Sequence, residues 1–240
     1  MEKGTSSRAN PPLWDHQRHP LRALRRSVER LAGGLAPPAP GSLVVDLGCG
    51  DKPYEGLFRA RGYGYVGADL DAGADIRIVP GERVPLDDGI ADGVVSFQVL
   101  EHVWDLDWYL GEAHRLLKPD GWLLLSTHGT WLYHAHPTDY RRWTRDGLIK
   151  ELELRHFAVE QVDALVGPLA WTTQIRLLGL RHALLALPGG AALVPPLALL
   201  MNLRMSLEEA VTPGSIREKN ASIYVTFSRQ NPKDRPQDRR

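Results

Sequence analysis

The stretch SLVVDLGCG, residues 42–50, decides the fold. An apolar run of this length is typical of a buried parallel strand. Gly48 and Gly50 follow it directly, and glycines there allow the backbone to approach a ligand closely. The turn leads into a helical pattern over 54–61, whose first N–H groups would be free. The sequence therefore predicts a nucleotide-type ligand lying across the end of this strand.

Outward from this unit, short apolar runs alternate with helical patterns, which predicts an α/β fold with a mainly parallel sheet covered on both faces. Residues 118–121 (KPDG) are predicted to form a turn before the fifth strand. The polar ends, 1–12 and 229–240, are predicted to be disordered, which leaves one domain over 13–228. Strands are expected at 42–47, 64–69, 75–79, 92–99, 122–128, 157–165 and 221–228, and helices at 20–32, 54–61, 106–117, 144–152 and, as a Leu-rich insertion, about 168–209.

Composition narrows the classes of partner. The 240 residues carry 29 Lys and Arg against 29 Asp and Glu, so nothing electrostatic points to nucleic acid. The single cysteine, Cys49, excludes an intramolecular disulfide and favours the reducing cytoplasm. Residues 183–201 are uncharged and interrupted by Pro188, Pro195 and Pro196. They indicate a buried helical hairpin or a surface that touches lipid, and not a transmembrane helix.

Two carboxylates accompany the glycine loop. Asp46 ends the apolar strand, where a carboxylate needs a polar partner. Asp69 ends the next strand, GYVGAD, where it can accept hydrogen bonds from both hydroxyls of a ribose. Pro53 occupies the third position of a Gly-x-Gly-x-x-Gly pattern, which argues against a nicotinamide-dependent oxidoreductase.

The segments DLGCG (46–50), VGAD (66–69), VVSFQVLEHVWD (94–105) and LLKPDGWLLLST (116–127) together resemble the class I S-adenosylmethionine (SAM)-dependent methyltransferase family, in the family's order. The resemblance implies SAM as cofactor and a Rossmann-like sheet of seven strands, mainly parallel with an antiparallel last strand. An N-terminal helix and a C-terminal helical insertion would be added to it. GCGDKPY (48–54) with HPTDYRRWT (136–144) resembles a type 11-like subgroup associated with modification of sugars, lipid-linked molecules or secondary metabolites.

Carried over position by position, the resemblance assigns a set of residues to the cofactor. The glycine loop would line its methionine end, and Asp69 would hold its ribose. Pro80 stands where an acidic residue often sits, so the adenine would rely on backbone groups nearby. The cofactor residues expected from the resemblance are Asp46, Gly48, Cys49, Gly50, Asp69, Leu70, Gly81, Glu82, Gln98, Leu100, Glu101 and His102. Cys49 is interpreted as a small filler and not as a nucleophile, because no activating base is evident.

The loop after the fifth strand, residues 128–144, should border the methyl acceptor. A hydroxyl acceptor must lose its proton, and a histidine near neutral pKa suits that task. We expect His134 or His136 as the base, His128 as the next candidate and Asp139 as the group that orients it. The histidines could instead only hydrogen-bond the loop. His134, His136 and Asp139 could also bind a divalent metal, although their spacing is not distinctive.

Other groups in this loop have two interpretations each. The aromatic residues could stack on an acceptor or simply pack the loop. The arginines could clamp an anionic acceptor or pair with nearby acids. The residues assigned to the acceptor are Trp131, Tyr133, Tyr140, Arg142 and Trp143. The N-terminal helix with Trp14 and His16 is expected to fold over the cofactor. Helices within 168–209 would wall the acceptor site or contact a second copy of the chain.

The sequence thus predicts a cytoplasmic SAM-dependent methyltransferase acting on a hydroxyl, or an amine, of a small sugar-containing or secondary-metabolite acceptor. Two alternatives remain at this stage. One is a methyltransferase that acts on a lipid-linked acceptor at the membrane surface. The other is a SAM-binding partner protein that has lost catalysis.

Overall fold

The computed structural model describes residues 10–231. These residues contain seven strands and seven α-helices. In chain order they are α1 (Arg18–Gly33), β1 (Leu43–Leu47), α2 (Glu55–Ala60), β2 (Gly64–Asp69), β3 (Ile76–Arg77), β4 (Ala91–Phe97), α3 (Leu106–Leu116), β5 (Leu117–His128), α4 (Arg145–Leu154), β6 (Phe157–Leu165), α5 (Pro168–Leu185), α6 (Val194–Val211), α7 (Gly214–Lys219) and β7 (Ile223–Gln230). Short 3-10 turns cover Leu100–His102 and Gly190–Leu193.

The strands form one sheet in the order β3-β2-β1-β4-β5-β7-β6. β7 is antiparallel to both β5 and β6, and the pairs among β1 to β5 are parallel. The predicted fold, a seven-stranded and mainly parallel Rossmann-like sheet with an antiparallel last strand, is confirmed. The chain order reverses between β1 and β4, and ligands of open α/β sheets bind at such a reversal, at the carboxyl ends of the strands.

Both faces of the sheet are buried, which explains the continuous apolar run of β1. Neighbouring residues of a strand point to opposite faces, and Val44 and Val45 accordingly belong to different core clusters. Val45 packs with side chains of α3 and α4, whereas Val44 packs with α1 through Leu24 and Val28. Helix α1 is therefore a layer of the core. The expectation that this helix folds over the cofactor is wrong for the helix itself.

Residues 118–121 do not form the predicted turn between helix and strand. They belong to β5, whose pairing with β4 jumps from Ala91–Leu117 to Gly93–Trp122, so the extra residues bulge out of the ladder. The ring of Trp122 lies over Gly93, where a Cβ atom would come within 2.2 Å of it. The missing side chain of Gly93 thus makes room for the strand to resume after the bulge.

The structure describes parts of both ends that the sequence predicts to be disordered, and these parts make defined contacts. β7 runs to Gln230, and Arg229 pairs with Trp122 of β5 and with Ala158 of β6. At the other end Pro11 is buried, and its carbonyl accepts a hydrogen bond from Arg18. The remaining predictions of disorder, for 1–9 and 232–240, fall outside the described residues.

The Leu-rich insertion forms two long helices, α5 and α6, that pack on each other through Ala170, Leu177, Ala198 and Met205. Within the described residues, one segment, Gly190–Val211, is long and apolar enough to cross a membrane by length and composition alone. Its mean hydropathy over the tested window is 1.3, and 22% of that window is buried. The hairpin predicted for 183–201 exists, but it is not a buried one.

Candidate active site

The loop after β1 is fixed to the two neighbouring strands. Gly48 and Gly50 have φ angles of +78° and +48°, a region that L side chains adopt at a cost. The N–H groups of Gly48 and Cys49 both donate to the carbonyl of Ala68 in β2. A Cβ atom on Gly48 would lie 2.4 Å from the side chain of Val99, just after β4. The loop therefore lies between the carboxyl ends of β2 and β4.

Two carboxylates lie at this edge. Asp69, half-buried at the end of β2, accepts hydrogen bonds from the N–H of Gly50 at 2.8 Å and of Asp71 at 3.3 Å. Asp46 is buried, and one of its oxygens accepts a hydrogen bond from the hydroxyl of Tyr65. Its Oδ1 has no hydrogen-bond partner among the described residues. Burial raises the pKa of Asp46 to about 7. An unpaired buried oxygen is costly, so the site favours a ligand that brings a donor.

The other residues expected at the cofactor differ in exposure and in the hydrogen bonds that they already make. Leu70 is 45% exposed after Asp69, and Gly81 adopts a φ of +83°. The carbonyl of Glu82 already accepts the indole N–H of Trp108 at 2.8 Å, so this backbone group is partly committed.

Three further members of the predicted cofactor set are constrained by their neighbours. Gln98 has a φ of +58°, and its side-chain amide donates to Ser126 in β5 at 2.9 Å. Leu100 is a fully buried core residue. Burial raises the pKa of Cys49 to about 12, which suits its interpretation as an inert filler.

Four titratable side chains converge at the carboxyl ends of β4 and β5, and we call them the histidine cluster: Glu101, His102, His128 and His134. Glu101 is fully buried, and its Oε2 accepts a hydrogen bond from Oγ1 of Thr127 at 2.8 Å. Its Oε1 has no hydrogen-bond partner among the described residues, and it lies 3.4 Å from Nε2 of His128. Burial raises the pKa of Glu101 to about 7 and lowers that of His128 well below its usual value.

The three imidazole rings of the cluster face one another. The ring of His134 lies 4.9 Å from that of His102 and 5.1 Å from that of His128, edge to face in both cases. Nδ1 of His102 lies 2.6 Å from the carbonyl of Thr138, which makes it the N–H donor and leaves Nε2 with a lone pair. Ligand-type atoms of Glu101, His102 and His134 lie within 4.8 Å of one another, so these three, and not His136 and Asp139, could hold a metal ion.

Asp139 and Arg142 form the frame of the loop. Two guanidinium nitrogens of Arg142 donate to the buried carboxylate of Asp139 at 2.5 and 2.6 Å. The same carboxylate accepts the N–H of His134 at 2.9 Å, and Arg142 also donates to the carbonyls of Trp131 and Leu132. Arg142 holds the pKa of Asp139 well below its usual range. Asp139 thus orients His134 by accepting a hydrogen bond from the backbone N–H of His134. The guanidinium of Arg142 is used in hydrogen bonds within the loop.

The aromatic residues of the loop have three different environments: one lies against the histidine cluster, one is buried in the core and one is exposed to solvent. Trp131 stacks on His128 with ring centroids 4.8 Å apart and on Trp171 of α5 at 5.2 Å. Trp143 is buried in the main core, which supports the packing interpretation for this residue. Tyr133 is 75% exposed.

Two residues expected to act in the site lie outside the histidine cluster. Tyr140 leans on Trp104, with ring centroids 5.3 Å apart. His136 is exposed. Their predicted roles stay predictions that the described geometry does not support.

Sequence reasoning missed two contacts in the site. It placed Glu101 and His102 beneath the cofactor, whereas the structure joins them to the histidines of the acceptor loop. It also missed Trp171, which lies 40 positions after Trp131 in a helix whose pattern gives no hint of a site.

Comparison with known proteins agrees with this architecture. The family described as "Methyltransferase domain" matches residues 14–166, well over half of the chain. The chain belongs to the SAM-dependent methyltransferase family. A probable SAM-dependent methyltransferase of Mycolicibacterium smegmatis is 34% identical over 104 residues, covering 39% of this chain and 40% of the relative. The malonyl-[acyl-carrier protein] O-methyltransferase of Serratia marcescens is 32% identical over 116 residues, covering 44% and 46%.

The chain therefore spans less than half of the length of the curated relatives that it matches. Among solved structures, a Burkholderia thailandensis 1,6-didemethyltoxoflavin-N1-methyltransferase with bound S-adenosylhomocysteine (SAH) shares the fold. Its TM-score is 0.54 at 20% identity, with 87% of this chain and 78% of that chain covered.

The methyltransferase site fits SAM, the cofactor of its family. SAM carries an ammonium group and two ribose hydroxyls, all of them hydrogen-bond donors. The half-buried carboxylate of Asp69 can accept from the hydroxyls, and the unpaired Oδ1 of Asp46 needs a donor. A ligand can approach the backbone of the loop closely at Gly50, which carries no side chain, whereas the space beside Gly48 is filled by Val99. Asp46, Asp69 and the loop would hold the cofactor at the ends of β1 and β2.

Replacing Glu101 by Gln should change how stability depends on pH. Because the folded state raises the pKa of Glu101 to about 7, its contribution to stability is fully present below the unfolded pKa and is lost as pH rises through the folded value. Glu101→Gln should therefore gain about 3 kcal/mol relative to the wild type at about pH 8, and little at about pH 4.

Urea unfolding at several pH values measures this difference. Some slope should persist in Glu101→Gln, because the pKa of Asp46 is raised in the same way. The control Glu153→Gln, in an exposed position on α4, should follow the wild type. Parallel curves for Glu101→Gln and the wild type would show that the carboxyl is not destabilised by burial.

Proposed function

We propose that this chain transfers the methyl group of SAM to a hydroxyl, or an amine, of a small acceptor held against the histidine cluster. The observation that supports this most is the convergence of Glu101, His102, His128 and His134 beside the cofactor loop. The segment after β4 links the two, since Gly48 packs on Val99 immediately before Leu100–His102. A proton acceptor next to the cofactor is what transfer to a hydroxyl requires.

Within the cluster, we propose His134 as the base. Its side chain is 33% exposed, whereas that of His128 is 7% exposed. Nδ1 of His134 lies 3.3 Å from the carbonyl of Leu132 and 3.6 Å from Asp139, which makes Nδ1 the N–H donor and leaves the lone pair on Nε2. Burial, and then the neighbouring His102, lower the pKa of His134, so the ring is neutral at pH 7 and can accept a proton.

The proposed reaction then follows from the positions of these groups. When bound, SAM supplies an electrophilic methyl group on a sulfonium sulfur. The acceptor hydroxyl would hydrogen-bond to Nε2 of His134, which would take its proton as the C–O bond forms, the S–CH3 bond breaks and SAH is left. Alignment of donor and acceptor supplies much of the rate in such a displacement. Trp131, flat against His128, would form the wall on which the acceptor rests.

Two further points of the proposal rest on resemblance and composition. The likeness of GCGDKPY and HPTDYRRWT to a type 11-like subgroup supports a sugar-containing or secondary-metabolite acceptor. The malonyl-[acyl-carrier protein] O-methyltransferase among the relatives supports an oxygen acceptor. We also propose a cytoplasmic location, because the sole cysteine is a free and buried thiol.

The proposal is tested by SAH formation with a panel of hydroxyl and amine acceptors, after calorimetric titration of the purified chain with SAM and SAH. We expect micromolar binding and turnover with at least one class of acceptor. Binding without turnover on any acceptor would favour the alternative of a SAM-binding partner protein. Absence of binding by the folded chain would overturn the proposal.

A further inference from the structure

The hairpin between α5 and α6 exposes an apolar surface to water. Residues 182–203, which we call the apolar tip, contain no Asp, Glu, Lys or Arg. The leucines of the tip that are 40% to 63% exposed are Leu185, Leu187, Leu193, Leu199, Leu200 and Leu203. Contiguous exposed apolar patches are rare on proteins without a partner. The tip therefore needs an apolar partner.

The tip is attached to the domain on one side. Ala198 and Met205 of α6 pack against α5, and the side-chain amide of Asn202 donates to the carbonyls of Leu13 and Asp15 at 3.2 and 2.9 Å. A membrane-spanning orientation of α6 would break these contacts and place Asn202 in hydrocarbon. A helix that packs on the domain with one face and exposes an apolar second face can lie parallel to a membrane surface, with the apolar face in the lipid.

Within the segment that contains the tip, arginine is the only charged residue type. Residues 164–207 contain three arginines, Arg176, Arg181 and Arg204, and no acidic residue. Arg204 pairs with Glu208 at 2.7 Å, at the edge of this segment. The balance of the segment stays positive.

Helix α1, which contacts α6, adds a basic stripe at i, i+4 spacing: Arg18, Arg22 and Arg26. These arginines line an open cavity of about 740 Å³ with Asn202 and Ser206 of α6, and the charged residues of its lining are five arginines and three acids, Asp163, Glu209 and Glu218. The charges of Arg26 and Arg18 lower the pKa of the exposed Arg22, as expected where cations crowd. An apolar face beside such a stripe matches the surface of an anionic bilayer.

We propose that the apolar tip inserts into the surface of an anionic membrane, with the arginines of α1 facing its phosphates, and that the methyltransferase takes a lipid-linked acceptor there. The second part rests on the proposed function. A stacked path of Trp171, Trp131 and His128 leads to the histidine cluster from the first turn of α5, 11 residues before the tip. A second copy of the chain is a poorer partner for the tip, because a symmetric contact would bring Arg176 and Arg181 of the two copies together, and residues 164–207 contain no acidic residue to pair with them.

Co-sedimentation of the full chain with vesicles tests the proposal. We expect binding to phosphatidylcholine vesicles that contain phosphatidylglycerol, weaker binding to phosphatidylcholine alone, and loss of binding at high salt. The double variant Leu200→Glu/Leu203→Glu should bind at least about tenfold more weakly. Arg22→Ser/Arg26→Ser should lose most of the preference for the anionic lipid. The control Leu154→Glu, at a 62% exposed leucine on α4, should bind as the wild type does.

Several outcomes would overturn the proposal. They are no vesicle binding by the wild type, equal binding by the Leu200→Glu/Leu203→Glu variant, and a wild-type dimer that this variant converts to a monomer without vesicle binding. Titration of each protein with SAH keeps the two proposals apart. A variant that binds SAH normally has kept its fold, and a wild type that binds vesicles but not SAH would overturn the proposed function alone.

Discussion

Replacement of His134 by Asn lowers kcat with a hydroxyl acceptor by about 10²- to 10⁴-fold, the usual contribution of a general base, and leaves the affinity for SAH unchanged. The reason lies in the accessibility of the imidazoles. His128 is 7% exposed and lies against Glu101, whereas the side chain of His134 is 33% exposed and its backbone N–H is held by Asp139. Asn cannot take the acceptor's proton, although it keeps a polar group of similar reach.

The pH profile separates a base from a structural group. A base acts in its neutral form, so kcat/KM of the wild type should rise with pH through the pKa of His134 and then level off. Since that pKa is lowered from 6.5, the rise should lie on the acid side of this value. His134→Asn should lack this limb.

His136→Asn is the matched control, because His136 lies in the same loop but is exposed and outside the cluster. We expect it to keep the wild-type kcat. A chelator tests the other use of the cluster. Loss of activity with EDTA and its return with a divalent cation would show that Glu101, His102 and His134 bind a metal, and this would contradict the role of His134 as base.

The strands could be predicted from the sequence because their pattern is local. Val44 and Val45 are apolar side by side since each faces a different core, and that requires a strand covered on both faces. The bulge at 118–121 could not be predicted in the same way. Its residues Lys-Pro-Asp-Gly are those of a turn, and only the pairing of Gly93 with Trp122 shows that the strand continues around them.

The cofactor side of the site was also accessible to sequence reasoning. Gly48 and Asp69 each lie at the end of an adjacent strand, and parallel strands end at the same edge of a sheet. The contact between them, from the N–H of Gly50 to Asp69, follows directly from that order.

The acceptor side depends on contacts that no spacing encodes. The sequence offered four candidates in the loop, His134 or His136 as base, His128 next and Asp139 as the orienting group, and it placed Glu101 with the cofactor. The pairing of Asp139 with Arg142 bends the loop so that His134 turns inward, while His136 stays in solvent. The partner of His128 comes from another strand end, 27 positions earlier, at Glu101. Which histidine faces the site is therefore decided by hydrogen bonds between residues of different elements, and sequence spacing does not reveal these.

The other large effect is expected at Asp69. Asp69→Ala should weaken binding of SAH by about 100-fold, because a carboxylate that accepts two hydrogen bonds from a ligand contributes about 3 kcal/mol. Part of the loss would come from the loop itself, since Asp69 also holds the N–H of Gly50 at 2.8 Å. Asp69→Asn keeps one acceptor oxygen and the shape of the side chain, so its loss should be smaller, about tenfold.

Calorimetric titration with SAH, beside thermal unfolding of each variant, measures both effects. Asp71→Ala is the matched control: Asp71 is an exposed acid two residues further on, and its carboxylate accepts only the N–H of Gly73, at 3.3 Å, among the described groups. Its affinity for SAH should equal that of the wild type. If Asp69→Ala folds normally and binds SAH as the wild type does, the ribose cannot lie at the end of β2. The cofactor would then have to be placed by the loop and Asp46 alone.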